Sequence, residues 1–161
     1  MLKITKSEFI NHDKIECMAV YESVPVKKIA KKAKEIDRFR GFTGKTGYKT
    51  IIFMNDGFVY LCPCLPATYA SRMNIEEFIT ADPNRYFLKK DQIREISTKL
   101  NNHQRKNIQQ AKERGMFINL SKNKSAEYYV FMISGRIYAL HNIRNFNNKY
   151  VTRQYGGDLS E

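Results

Sequence analysis

The chain matches itself at an offset of 78 residues, and this internal repeat constrains its fold more than any other feature. Ala33-Lys34-Glu35 returns as Ala111-Lys112-Glu113. The same offset, with no gap, sets Phe39 on Phe117, Phe53-Met54 on Phe131-Met132, Gly57 on Gly135 and Tyr60 on Tyr138. Asp13 falls on Asp91, Ile15 on Ile93 and Lys28 on Lys106, with conservative pairs between them: Lys27 with Arg105, Thr43 with Ser121, Val59 with Ile137. Chance supplies scattered identities but not one register carrying this many. The expected fold is therefore α+β, two tandem copies of a small strand–helix–β-hairpin unit. The first copy is expected over residues 1–80 and a second, diverged copy over 85–145. A basic and then loose tail is expected over 146–161.

Periodicity supplies the elements. Thr50 to Met54 and Phe58 to Cys62 are apolar runs of strand length around Asn55-Asp56-Gly57, and Asp-Gly there is a strong hairpin signal because glycine accepts positive φ without cost. Tyr128 to Ile133, Ser134-Gly135 and Arg136 to Leu140 repeat the hairpin. Upstream, Ser23 is the expected N-cap of a helix with Pro25 in its first turn. Val26, Ile29, Ala30, Ala33 and Asp37 fall on one helical face, and Lys27, Lys28, Lys31, Lys32, Lys34 and Arg38 on the rest. The counterpart helix is expected from about Asn102 to Arg114, stopped by Gly115. Ile15 to Tyr21 and Ile93 to Thr98 read as strands, Leu2 to Ile10 as a further strand, and Asn74 to Ile79 as a short helix. Ala81-Asp82-Pro83-Asn84 reads as a linker.

Composition narrows the function. Lys and Arg number 28 against 16 acids, a formal charge of +12, and such an excess attracts polyanions. No apolar run approaches the roughly 18 residues of a membrane span, and no amphipathic helix has a bulky apolar face, so nucleic acid is favoured over a lipid surface. Cys17, Cys62 and Cys64 are odd in number and too few for a disulfide scaffold. With no apolar run behind Met1, a cytoplasmic protein without a leader is the expectation.

Glu22-Ser23-Val24-Pro25-Val26-Lys27-Lys28, then Ala33-Lys34-Glu35, Phe39 and Thr43, then Ile51-Ile52-Phe53-Met54-Asn55-Asp56, Leu61, Pro66, Thr68, Ala70 and Arg72, resemble a known family. It is the RemA family of small bacterial regulators of extracellular-matrix genes. The likeness runs without gaps from about residue 14 to 73, and the second copy matches more weakly, best from Ile108 to Asn119 and at Val130-Phe131-Met132. The resemblance implies a DNA-binding transcriptional regulator that assembles into rings and presents repeated basic surfaces to double-stranded DNA. The family's G-R-R-T-R loop is replaced here by Lys45-Thr46-Gly47-Tyr48-Lys49 and by Asn123-Lys124-Ser125-Ala126-Glu127. Both copies thus lack the twin arginines that could grip phosphate or guanine bidentately.

Two surfaces are candidates for phosphate. The first is the start of the Pro25 helix, where free N–H groups carry partial positive charge, with Lys27, Lys28 and Lys31 near it and Arg105 and Lys106 in the second copy. The second is the loop bearing Lys45 and Lys49, with Lys122 and Lys124 as counterparts. Lys14 and Arg72 are added because they match basic positions of the family. Lysines on a helix face are also what any solvated helix carries. Tyr48, Tyr60 and Tyr138 are candidates for stacking on unpaired bases, or else half-buried packing residues.

Catalytic signals are weak, and an enzyme is not expected. Cys62-Pro63-Cys64 lacks a second cysteine pair for zinc and reads as packed thiols. Gly44-Lys45-Thr46 is no P-loop, since Phe39 stands where the motif needs its first glycine. No serine sits in a nucleophile elbow, and no cofactor, metal or small-molecule substrate is suggested. A homo-oligomer is expected. The alternative to a DNA regulator is a protein-interaction module that kept the assembling fold and lost DNA; a single-strand or RNA binder is the third reading.

Overall fold

Apolar runs, two glycine turns, a lysine-rich helix and a second polar helix fold into the α+β arrangement in which sheets carry the core. The computed structural model describes residues 1–22, 24–42, 47–82, 84–121 and 124–145. Strands β1 (Leu2–Lys3) and β2 (Phe9–Ile10) form a small antiparallel hairpin. Then come β3 (Ile15–Val20), α1 (Val24–Glu35), β4 (Phe39–Gly41), β5 (Thr50–Met54), β6 (Val59–Cys62) and α2 (Pro66–Arg72). Strands β7 (Phe78–Ala81) and β8 (Tyr86–Lys89) make a second hairpin. The chain continues as β9 (Ile93–Ser97), α3 (Asn102–Glu113), β10 (Phe117–Asn119), β11 (Tyr128–Met132) and β12 (Ile137–Leu140). One sheet has the order β4-β6-β5-β3-β8-β7 and another β10-β12-β11-β9.

Elements β9 to β12 each begin 78 residues after β3 to β6, as α3 does after α1, and the pairing agrees as well. In both sheets the strand after the helix lies parallel to the last hairpin strand, Phe39 beside Val59 and Phe117 beside Ile137. Both hairpin turns close through a glycine of positive φ, Gly57 at 90° and Gly135 at 97°, whose N–H bonds the carbonyl three residues back. Helix α3 opens with a capping box between Asn101 and Gln104 and stops at Gly115, φ 70°. The N–H groups of Gly115 and Met116 there return to Lys112 and Ala111. Helix α1 ends in the same way, but the position of Gly115 is taken by Asp37 at φ 59°. Asp37 is therefore a C-terminal cap residue and not part of the helix's packing face.

Several expectations change. The segment Leu2 to Ile10 is two dipeptide strands rather than one, because the chain reverses at residues 4–8, where the Ile4 N–H reaches the Glu8 carbonyl. The Asn74 to Ile79 helix is a single 3₁₀ turn, Ile75–Glu77, followed by strand β7. Pro66 at the first turn starts the unforeseen helix α2, too short to show a periodicity. Of the residues read as linker, Ala81 ends β7 opposite Tyr86 and Asp82 and Asn84 stand in the turn of the β7–β8 hairpin, and β8 adds to the sheet beside β3 with Met18 opposite Phe87. The proposed N-cap Ser23, Pro83 of that turn and the tail 146–161 lie outside the described residues.

One buried cluster joins both sheets: Ala30, Phe53 and Leu61 on the α1 side pack with Ile96, Val130, Tyr138 and Leu140. A charged group sits inside this contact. Glu16, 0% exposed, accepts hydrogen bonds from Ser134 Oγ at 2.6 Å, Arg136 Nη1 at 2.6 Å and Tyr138 Oη at 2.7 Å. The Arg136 guanidinium lies over the Phe53 ring at 5.2 Å. Burial alone would lower its pKa, but the Tyr138 and Glu16 interactions outweigh this and raise it above its ordinary value. Burial, with the Glu16 charge beside it, pushes the Tyr138 hydroxyl far up, so it stays a neutral donor. The far face of the first sheet is closed separately by β1, β2 and α2 over Met18, Ile52 and Phe87.

Candidate nucleic-acid interface

Lysines spaced three and four apart share one stripe of a helix, so Lys27, Lys31 and Lys34 line up along α1, and Arg105, Gln109 and Lys112 along α3. All six are exposed. Each stripe borders a cleft of about 340 Å³ against its own sheet. In the first cleft, Lys27, Lys31 and Lys34 surround Tyr21, Phe39 and Tyr48. In the second, Arg105 and Lys112 surround Leu100, Phe117 and Tyr129, and Ala126 stands at the counterpart of Tyr48. Among the described residues, no acidic side chain lines either cleft.

Cations and rings are in direct contact here. Lys27 Nζ lies 5.8 Å from the centre of the Tyr21 ring, which meets Tyr48 edge-on at 6.4 Å. Lys112 Nζ lies 5.1 Å from the centre of Phe117. The Tyr48 ring closes over Gly41, where any Cβ would run into Tyr48 Oη and come within 3.0 Å of Cζ. A third hollow of about 370 Å³ lies between α1 and β10 and holds Lys28, Lys31 and Lys32 with one acid, Glu35. It shares Lys31 with the first cleft and Phe117 with the second. The three therefore form one track, cationic along its length and floored by aromatic and aliphatic groups.

The structure distributes the proposed phosphate ligands unevenly. Lys27, Lys28, Lys31 and Arg105 stand on the track. Lys49 is exposed next to Tyr48, and Lys106 is exposed on α3 outside the cleft lining. Lys14 is 3.9 Å from Asp56, and Lys124 is 3.8 Å from Asp82. Arg72 donates to the Lys3 carbonyl at 2.9 Å and covers the Tyr69 ring. Lys45 and Lys122 lie outside the described residues. At the start of α3, the Asn101 side chain takes the Gln104 N–H and the Gln104 side chain takes the Asn101 N–H. Tyr138 is fully buried on Glu16 and cannot stack on a base, while Tyr60 lies stacked on Phe42 at 5.5 Å. Lys34 and Lys112 join the clefts as well. Their signal in the sequence is that they are an identical pair in the 78-residue register.

The first cleft and α1 fall within a segment that matches a family description, RemA-like, extracellular matrix regulatory protein A-like, over residues 1–73. Residues 1–73 are RemA-like. The RemA-like segment holds Lys14, Lys27, Lys28, Lys31, Lys49 and Arg72, whereas Arg105, Lys106 and the whole second cleft lie beyond it. No curated protein matches the chain. No helix among the described residues is long and apolar enough to cross a membrane.

Proposed function

We propose that this chain is a cytoplasmic, non-enzymatic regulator of the RemA kind that binds double-stranded DNA through its phosphate backbone. The observation that carries this reading is the linked track of basic clefts, in which Glu35 is the one acid among the described lining residues. A row of cations suits a linear polyanion better than a compact ligand, because each phosphate neutralised releases counterions independently of its neighbours. In this reading residues 85–145 are a diverged second copy of the unit in residues 1–80, and the chain works as a homo-oligomer. The absent twin arginines leave backbone contact ahead of base readout, since a lysine offers a point charge rather than a planar fork.

The test is fluorescence anisotropy of a labelled mixed-sequence duplex at several salt concentrations. Wild-type protein should weaken with salt by about 0.9 in log K per phosphate contact for each decade of salt. Changing Lys27, Lys34, Arg105 and Lys112 to alanine should flatten that slope by about 0.9 for each contact removed. A folded protein with no affinity at low salt would sink the reading and favour a protein-interaction module.

A further inference from the structure

The two basic clefts differ most at the positions that would meet a ring rather than a charge. At the offset of 78 residues, Tyr48 corresponds to Ala126, Gly41 to Asn119 and Tyr21 to Lys99. The first two exchanges belong together. In the first cleft the Tyr48 ring lies across Gly41, where a Cβ would collide with its hydroxyl. In the second, Asn119 and Ala126 both line the wall, and the Asn119 side chain accepts from the Ser121 N–H at 3.0 Å. Strand β4 thus has glycine where a ring rests on it, and β10 has a side chain where alanine stands in place of the ring. Charge changes less: Lys27, Lys31 and Lys34 are matched by Arg105, Gln109 and Lys112.

Tyr21, Phe39 and Tyr48 are each half-buried, so part of every ring is open to the first cleft, whose volume of about 340 Å³ is in the range of a small-molecule site. Tyr21 and Tyr48 stand at 86° to each other, which gives the cleft an aromatic corner. Lys27 Nζ, 5.8 Å from the centre of the Tyr21 ring, joins this corner to the cationic rim of Lys31 and Lys34. A planar ring that carries phosphate satisfies both parts at once. Duplex DNA does not, because its base faces are stacked on one another and it offers only phosphates and groove edges. An unpaired nucleotide has a free face, and stacking on an aromatic side chain contributes about 1–3 kcal/mol per base.

We propose that the first cleft takes one unpaired nucleotide, with its base against Tyr48 and its phosphate on Lys27, Lys31 and Lys34. The second cleft, with Ala126 and Gln109 at the counterparts of Tyr48 and Lys31, takes phosphate alone. The chemistry recognised is that of a nucleoside phosphate, either free in solution or exposed within a single strand. The inference rests on the basic track of the proposed function: phosphates run along the track, and one base enters it at Tyr48.

The experiment is fluorescence anisotropy of a labelled oligothymidylate strand with wild type, Tyr48→Ala and Tyr48→Phe, with circular dichroism to verify folding. A labelled duplex is titrated in parallel. Tyr48→Ala should weaken the strand at least about fivefold more than the duplex, and Tyr48→Phe, which keeps the ring face, should restore the strand. Should Tyr48→Ala lose its fold, Tyr48→Leu takes its place, since it keeps a side chain over Gly41 without an aromatic face. Competition then identifies the source. ATP that displaces the strand better than inorganic triphosphate marks a free nucleotide as the ligand; ATP no better than triphosphate, with the Tyr48 effect intact, marks a nucleotide within a strand. A folded wild type with no affinity for the strand, equal losses of strand and duplex, or a Tyr48→Phe variant as weak as Tyr48→Ala would each overturn the proposal. A protein that binds duplex but not the strand refutes this inference and leaves the duplex reading standing; one that binds the strand through Tyr48 but not the duplex does the reverse.

Discussion

Replacing Arg136 with methionine tests whether the buried Glu16 node holds the two sheets together. Arg136 and Glu16 side chains are 8% and 0% exposed and meet at 2.6 Å, so the pair is sealed from water. Removing one member of a buried pair typically costs about 3–5 kcal/mol, because the remaining charge loses its partner without regaining water. Methionine keeps most of the volume over Phe53, so little of the loss should come from a cavity. The Ser134 and Tyr138 hydroxyls still donate to Glu16, which places the expected cost near the lower end, about 3 kcal/mol. With a urea m-value of about 1–3 kcal/mol per molar, the unfolding midpoint should fall by about 1–3 M. Glu16→Gln in the same background removes the stranded charge, so the double variant should be more stable than Arg136→Met alone, giving a coupling of at least about 1 kcal/mol in a double-mutant cycle. A loss below about 1 kcal/mol, or additive single effects, would refute the account of this node.

Three further outcomes are expected. Asp37→Gly should stabilise by about 0.5–1 kcal/mol in urea unfolding, since φ 59° is left-handed and the counterpart is already Gly115; a loss would show that the Asp37 side chain matters more than its backbone strain. Gly41→Ala should destabilise by about 1–3 kcal/mol by driving a methyl group into Tyr48, and an unchanged midpoint would show that the ring is not held there. Burial, with the Glu16 charge, pushes the Cys17 thiol far up, and burial, with Cys64 beside it, does the same to Cys62, so neither is a thiolate at pH 8. Ellman's reagent should therefore label at most Cys64 in the native protein and all three thiols after unfolding; fast labelling of all three in native protein would contradict that burial.

Local chemistry already decided much of this protein. The α1 and α3 spans, the glycine turns at Gly57 and Gly135 and the common 78-residue register are properties of short windows, where helical spacing and positive-φ glycines act independently of the rest of the chain. The lysine stripe along α1 belongs to the same class, since spacing of three and four places side chains on one face. What faces that stripe does not. Phe39 and Phe117 reach the clefts because β4 and β10 lie parallel to β6 and β12, and parallel pairing across an intervening hairpin leaves no local signal. Tyr48 lines one cleft where Ala126 lines the other, a difference that counts only once those segments fold against α1 and α3.

Residues 75–89 show the limit most plainly. Asn74 to Ile79 carries acids and a helical look, and Tyr86-Phe87-Leu88 has no alternation. Phe78-Ile79 and Tyr86-Phe87-Leu88 become strands because β8 is buried on two faces between β3 and β7, and a strand so enclosed reads as a plain apolar run. Likewise Glu16 looks like a solvent-facing residue within an apolar strand until Arg136, Ser134 and Tyr138 arrive from the other sheet. By itself the sequence determined the elements whose stabilising contacts lie within a few residues. Tertiary structure alone decided the pairings between distant segments, and with them the node at Glu16 and the shape of the basic track, because those energies exist only once remote surfaces meet.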